Sequence, residues 1–199
     1  MRYVIRSHPR SITSILAALL IAGGSLTCAA APATTSPTSP AAPAKAAAAK
    51  SAIRINAGAS AADVDAKGTA WLPDQGFIGG DTIDRGSIPI ANTETPSVYR
   101  TEHYDMSGFT YKLPNGKYTV KLHFAETFEE ITGTGQRVFT INIAGHVFKD
   151  FDVWAKAGGG QRAYVETVSV DITDVKLDIT FTSNIQSPEI NGIEIIPAP

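Results

Sequence analysis

Apolar and polar residues alternate in short segments from about Ser51 to the C-terminus. Segment 117–126 shows the pattern clearly, because its apolar residues share one face of an extended chain: Tyr118, Val120, Leu122 and Phe124. Thr119, Lys121 and His123 fall on the opposite face. A period of two is typical of a strand with one buried face. Segments 138–143, 164–172, 177–181 and 190–196 repeat it without helical periodicity of comparable length, so the pattern predicts an all-β domain.

Turn residues stand at the boundaries between these segments. Pro114-Asn115-Gly116 separates 109–113 from 117–126, and Asn-Gly supplies the positive φ angles of a tight hairpin. Ala144-Gly145-His146 separates 138–143 from 147–151, and Thr173-Asp174 separates 168–172 from 175–181. About nine short strands in one domain predict a two-sheet antiparallel β-sandwich or jelly roll.

Residues 1–28 have the order of charged and apolar residues found in a secretory signal peptide. Arg2, Arg6 and Arg10 precede an apolar run at 12–22, with no acidic residue among them. The run is shorter than the roughly 20 residues that span a bilayer, which favours a cleaved signal. Cys28 follows Ser25-Leu26-Thr27, a sequence that resembles a lipoprotein processing site, and ordinary cleavage among residues 29–31 is the alternative. We therefore expect an exported bacterial protein that is secreted, periplasmic or on the cell surface, with membrane anchoring if Cys28 is lipidated.

Residues 29–50 form a separate compositional region. They consist of Ala, Pro, Thr and Ser with only Lys45 and Lys50 charged, which predicts a disordered linker before a folded domain at 51–199. Cys28 is the only cysteine of the chain. The predicted domain therefore has no disulfide framework and no thiolate metal site, and its stability must come from a packed core.

The charge of the predicted domain argues against nucleic acid as a partner. Five of the 17 basic residues and none of the 19 acidic residues lie in residues 1–50. Residues 51–199 therefore hold 12 basic and 19 acidic residues, a formal charge of −7. Such a domain would repel a phosphate backbone.

The order of short motifs from about Ile53 to Ile196 resembles the malectin family. The motifs are Ile55-Asn56-Ala57-Gly58, Tyr99-Arg100-Thr101-Glu102, Phe124-Ala125-Glu126, Phe139 through Asn142 with Gly145-His146, Phe151-Asp152-Val153 with Ala157-Gly158-Gly159, and Asn191-Gly192-Ile193-Glu194-Ile195. The resemblance implies a galactose-binding-like sandwich whose loops form a sugar-binding cleft without catalysis. It also implies an oligosaccharide or polysaccharide partner that contains glucose or galactose.

The family's site of aromatic rings and one acid, carried over by position, implies a carbohydrate-binding set in this chain: Phe77, Tyr99, Thr127, Phe128 and Gln186, with Glu189 as a nearby carboxylate. Only Tyr99 and Phe128 match the family's pattern well. Compared with the family's residues at these positions, Phe77 keeps a ring but lacks a phenolic hydroxyl, and Thr127 lacks a ring. Gln186 can still form hydrogen bonds but lacks the charge of the family's acid. A sugar needs both a ring for its C–H face and polar partners for its hydroxyls, so these departures bear on which sugar is bound.

Other residues suggest chemistry less clearly. Glu126, Glu129 and Glu130 invite a glycosidase interpretation, but two of them are adjacent in a predicted loop, and we expect no enzyme. No two histidines have a zinc-ligand spacing, and we expect no cofactor. Asp150 and Asp152 could contribute oxygen ligands to a structural calcium ion or simply cap a turn.

Three interpretations of function follow from these residues. The first is a carbohydrate-binding module, to which Trp71 could add a platform while Trp154 lies in the core or at its edge. The second, motivated by Thr127 and Gln186, is an adhesion or envelope scaffold domain whose loops bind a protein. Glycoside hydrolysis is the third.

Overall fold

Two antiparallel sheets enclose the main core of the protein. A computed structural model describes residues 51–199, so the predicted signal peptide, Cys28 and the linker up to residue 50 lie outside the described residues. The strands are β1 (Ile53–Asn56), β2 (Asp63–Val64), β3 (Ala70–Trp71), β4 (Phe77–Ile78), β5 (Asp81–Asp84), β6 (Thr101–Tyr104), β7 (Gly108–Lys112), β8 (Gly116–Phe124), β9 (Val138–Ile143), β10 (His146–Phe151), β11 (Tyr164–Ile172), β12 (Lys176–Ile185), β13 (Glu189–Ile190) and β14 (Gly192–Pro197). A 3₁₀ helix covers Pro96–Tyr99, and helix α1 covers Val153–Ala157.

The sheet order shows a sandwich. One sheet has the order β1-β14-β8-β11 and the other the order β10-β9-β12-β7-β4. A small sheet β13-β6-β5 and the hairpin β2-β3 lie in the connections. The predicted two-sheet antiparallel β-sandwich is therefore confirmed.

Strand β8 shows how the alternating pattern builds the core. Tyr118, Val120, Leu122 and Phe124 are all buried, and they pack with the inward residues of both sheets. In β11, Tyr164 lies opposite Phe124 and Ile172 lies opposite Gly116, so the pairing runs along the whole length of β8. Aromatic rings close one region of this core, with the Phe124 and Phe151 centroids 4.9 Å apart.

The strand count differs from the expectation. The described residues contain 14 strands, and four of them have only two residues. Segments this short carry no visible period of two, so β2 to β5 were not predicted. Segment 190–196 is two strands separated by Asn191, whose side chain accepts from the Ala125 N–H and donates to the Thr101 carbonyl.

A second, smaller apolar cluster lies apart from the main core. It consists of Trp71, Ile90, Val98, Tyr99, Ala125 and Ala163. Trp71 is 5 % exposed, and its indole N–H donates to Asp65 over 2.9 Å. The ring of Trp71 also meets His123 edge-on, with centroids 5.4 Å apart. Trp71 is therefore a packing residue, and the suggestion of an exposed sugar platform at this position was wrong.

The acidic residues considered for calcium have protein partners. Asp152 caps α1 by accepting from the Ala155 N–H over 2.9 Å, and it also accepts from the Gly135 N–H. Asp150 accepts from the Asn184 amide over 2.9 Å. Within residues 51–199 no group of three or more metal-ligating side chains is arranged to hold a metal ion.

Candidate functional site

A pocket with a volume of 350 Å³ lies beside the Phe128 ring. We call it the Phe128 pocket, and its lining comes from β5, β6 and the segments that follow β5, β8 and β12: Ile83, Arg85, Glu102, Tyr104, Phe128, Glu130, Arg137, Gln186 and Ser187. Phe128 is only partly buried and belongs to neither apolar cluster. The core therefore does not need this ring, which borders the pocket.

Two arginines lie close to the Phe128 ring, and each is held by a glutamate. The guanidinium carbons of Arg85 and Arg137 lie 5.7 and 5.9 Å from the ring centroid, within the range of a cation–π contact. Arg85 donates to Glu102 over 2.7 Å, and Arg137 donates to Glu126 over 2.7 Å. These ion pairs fix both guanidinium groups at the pocket.

Buried and partly buried hydrogen bonds connect the two ion pairs to the surrounding loops. Thr127 Oγ1 donates to Glu102 and accepts from Arg85 Nε over 3.2 Å. The Phe128 backbone N–H donates to Glu126 over 3.0 Å, which holds the ring-bearing residue in place. Arg137 Nη1 donates to the Ser187 carbonyl over 2.5 Å and so ties the loop after β12 to the same network.

Glu189 adds a third carboxyl group to this cluster. Its side chain is fully buried, and among the described residues neither carboxyl oxygen has a hydrogen-bond partner. Burial raises the pKa of Glu189 well above its ordinary value, and the negative charges of Glu126 and Glu102 raise it further. With Glu189 protonated, the two guanidinium groups would be matched by the carboxylates of Glu102 and Glu126.

Burial also raises the pKa of Glu126, although its ion pair with Arg137 opposes the effect. The Glu126 side chain is 1 % exposed. By contrast, Glu129 and Glu130 are exposed, and within residues 51–199 neither forms a salt bridge. The acidic residues of this loop therefore divide into one buried structural carboxylate and two solvated ones at the rim.

The structure brings some of the predicted sugar-binding residues together. Phe128 and Gln186 both line the pocket, and Gln186 is exposed with a positive φ of 64°. Thr127 is buried beside them and bonds to the charged cluster. Glu189 lies within electrostatic range of that cluster, but it is fully buried and does not line the pocket.

Phe77 and Tyr99 do not line the Phe128 pocket. Phe77 is partly buried and stacks on His103 with the ring centroids 4.3 Å apart. Tyr99 is 3 % exposed, and its hydroxyl is 2.8 Å from His123 Nδ1. Burial, with a smaller contribution from the Glu194 charge, raises the pKa of Tyr99 to about 12. Tyr99 borders a different and wider groove that also includes Trp71 and Glu194.

The sequence interpretation missed Arg85, Tyr104 and Arg137. Each lies at or near the end of a short strand or at the start of a longer one, where no alternation marks a functional position. The roles of Arg85 and Arg137 depend on their pairings with Glu102 and Glu126, which are 17 and 11 residues away in sequence. A charged residue next to a predicted loop of aromatic and acidic residues is the only signal that could have indicated Arg137.

The fold and the pocket together define a class of protein: a β-sandwich module whose loops form a small surface pocket beside the aromatic ring of Phe128. The sequence profile of the Malectin domain matches residues 51–194. The chain belongs to the malectin family, whose fold is associated with carbohydrate binding, and the resemblance seen in the sequence is confirmed.

Comparison with known proteins agrees with this assignment. The kinesin-like protein KIN-14E of Oryza sativa subsp. japonica is 30 % identical over 154 residues, covering 72 % of this chain and 14 % of that protein. The β-glucuronidase structure from Bacteroides uniformis has a TM-score of 0.67 at 24 % identity, covering 74 % of this chain and 18 % of that one. A structure of the plant peptide RALF23 in complex with FER and LLG2 has a TM-score of 0.64 at 22 % identity. The match covers 73 % of this chain and 48 % of the chain in that structure.

This chain corresponds to only a part of each of these larger proteins. The chain spans only 14 % of the length of the kinesin-like relative and 18 % of the glucuronidase. At these identities the solved structures support the fold. No helix within residues 51–199 combines the length and the apolar character needed to cross a bilayer.

Proposed function

We propose that the Phe128 pocket binds a neutral oligosaccharide or polysaccharide containing glucose or galactose, and that the domain catalyses no reaction. The observation that carries the proposal is the partly buried Phe128 ring, which stands in an open pocket among fixed hydrogen-bond donors. A pyranose can place its C–H face on the ring while its hydroxyls meet polar groups.

The polar groups of the pocket suit sugar hydroxyls. Arg85 and Arg137 are donors, while Gln186 offers both a donor and an acceptor. The arginines are held by Glu102 and Glu126, so little side-chain entropy is lost when a ligand binds. One ring and a few solvent-exposed hydrogen bonds give modest affinity, with Kd between about micromolar and about millimolar.

The charge of the site favours a neutral ligand. Both guanidinium groups are already neutralised by carboxylates, and Glu130 stands at the rim. An anionic sugar would gain no unpaired cation here and would meet that rim carboxylate. A neutral hexose needs no unpaired cation and is not repelled by the carboxylate of Glu130.

A binding role without catalysis agrees with the state of the acidic residues. Glycoside hydrolysis commonly needs two carboxyl groups on opposite sides of the bond that breaks. Glu126 is buried, paired with Arg137 and bonded to the Phe128 backbone, while Glu129 and Glu130 are neighbours in one exposed loop. None of these three glutamates is therefore assigned as the general acid or the nucleophile of a glycosidase.

Protein binding is the second candidate. A separate, mostly apolar groove runs along β1, β2 and β3, and Val64 is 60 % exposed there. The solved complex of RALF23 with FER and LLG2 shows that a protein of similar fold can take part in peptide recognition. An adhesion or envelope scaffold domain remains the alternative if no glycan binds.

Export is part of the proposal. The order of Arg2, Arg6 and Arg10 before the apolar run at 12–22 supports it. Mass spectrometry of the mature protein tests export and anchoring together. An N-terminal lipid-modified Cys28 indicates a membrane anchor, cleavage after Cys28 indicates a soluble exported form, and an intact N-terminus contradicts export.

A glycan array probed with the purified chain tests sugar binding. Phe128→Ala should abolish binding, whereas Phe148→Ala should preserve it, because Phe148 is also a partly buried ring but lies on β10 away from the pocket. A blank array with well-folded protein would reject the proposal in favour of protein binding. Equal loss of binding in both variants would show that the site depends on general stability.

A further inference from the structure

A second pocket adjoins the first across Phe128. Its volume is 340 Å³, and we call it the Trp154 pocket. It is lined by Glu126, Thr127, Phe128, Glu129, Ile131, Thr132, Trp154, Gly160 and Gln161. Phe128 lines both pockets, and Thr127 joins them through its bonds to Arg85 and Glu102 of the first pocket.

Trp154 presents an aromatic surface that the core does not use. It is partly buried and belongs to neither apolar cluster, so of the two positions expected from the sequence, the core or its edge, only the core is excluded. Gly160 supports one region of its ring, since a Cβ added at Gly160 would lie 2.7 Å from Trp154 Cζ3. A residue larger than glycine at this position would displace the ring.

The indole N–H of Trp154 is free. It has no hydrogen-bond partner among the described residues, whereas the equivalent group of Trp71 donates to Asp65. Within residues 51–199 the only buried side-chain polar atoms without a partner are the two Glu189 oxygens, so the Trp154 N–H reaches solvent. A ring with a free donor at its edge matches one face and one hydroxyl of a sugar.

Gln161 adds a polar group to the same pocket. Its backbone has a positive φ of 50°, unusual for a residue with a side chain, and its N–H donates to the Glu126 carbonyl over 2.8 Å. No hydrogen bond within the described part of the chain engages its side-chain amide. Its amide is therefore available to a ligand in this pocket.

We propose that the Trp154 pocket is a second sugar subsite, so that the site takes an oligosaccharide longer than a disaccharide across Phe128. The inference rests on the proposed function and extends it. Trp154 supplies the ring of this subsite, and Gln161 and the indole N–H bind hydroxyls. Glu129 in this pocket and Glu130 in the other give both subsites an acidic rim, which selects neutral sugar units.

Titration calorimetry with sugars of different length tests the proposal. The probes are maltose and maltotetraose, together with the disaccharide and tetrasaccharide of β-1,4-linked galactose. The tetrasaccharide of the preferred sugar should bind about tenfold more tightly than the disaccharide, because it adds one ring contact and its hydrogen bonds. Trp154→Ala should remove this gain and leave disaccharide affinity unchanged, and Trp154→Phe should retain part of it.

Intrinsic fluorescence provides a second measurement, since the chain has only two tryptophans and Trp71 is buried. In a Trp71→Phe background, the tetrasaccharide should change the emission and the disaccharide should change it much less. Equal affinity for both lengths, unaffected by Trp154→Ala, would overturn the second subsite and leave sugar binding at Phe128 intact. The absence of binding at either length would overturn both proposals.

Discussion

Ionisation of Glu189 should make the fold less stable as the pH rises. The carboxyl group of Glu189 on β13 is fully buried without a hydrogen-bond partner among the described residues. The charged groups that face it are Glu102 from β6, Glu126 from the segment after β8, and the guanidinium groups of Arg137 and Arg85. Ionised Glu189 would give this buried cluster a net negative charge, and Glu189→Gln removes that possibility while keeping a neutral side chain of the same shape.

The magnitude follows from proton linkage. The folded-state pKa of Glu189 is raised, so the folded protein holds a proton that the unfolded chain loses above the ordinary pKa of 4.5. The contribution of Glu189 to stability is therefore fully present below that pH and falls as the pH rises toward the folded-state pKa. In that window the loss approaches about 1.4 kcal/mol per pH unit for a single group.

Urea unfolding of wild type and Glu189→Gln from about pH 5 to about pH 8 measures this effect. The free energy of unfolding of Glu189→Gln, relative to wild type, should increase with pH. Glu129→Gln is the control, because Glu129 is exposed and its substitution should leave the pH dependence unchanged. A constant difference between wild type and Glu189→Gln across the range would refute the argument that Glu189 is held protonated.

Two further substitutions test the packing around the site. Arg137→Ala should lower the free energy of unfolding by about 3–5 kcal/mol, because it leaves the buried carboxylate of Glu126 unpaired. Thermal melting measures the loss, and Glu126→Gln in the same protein should recover part of it; no recovery would mean that the pair is not coupled. Tyr99→Phe removes the 2.8 Å contact with His123, so it should cost about 1 kcal/mol in urea unfolding. Its glycan affinity should match wild type, and a loss of affinity without loss of stability would place Tyr99 in the binding site.

The parts of the fold that follow the alternating pattern were predictable from sequence. Segments 138–143 and 164–172 correspond residue for residue to β9 and β11, and 117–126 differs from β8 by only a few residues at its ends. Alternation is visible in these strands because one face packs in the core and the other meets solvent. Strands β2 to β5 have two to four residues and few buried positions, so they leave no such pattern.

The candidate site was predictable only in part. Phe128 stood out as a ring among polar residues, and the resemblance to the malectin family pointed to Gln186. The same resemblance placed Tyr99 with them, but that residue is buried in the second apolar cluster. The pairing of Arg137 with Glu126 depends on how β9 and the loop after β8 meet in space, which no local pattern records.

Titration of the array-selected glycan into wild type, Phe128→Ala and Phe148→Ala tests the central claim most directly. We predict that Phe128→Ala reduces affinity by at least about tenfold, because the ring is the main apolar contact of the pocket. Phe148→Ala should bind like wild type, and the melting temperature of Phe128→Ala should stay near the wild-type value, since Phe128 lies outside both apolar clusters. Wild-type affinity in Phe128→Ala would contradict the assignment of sugar binding to this pocket.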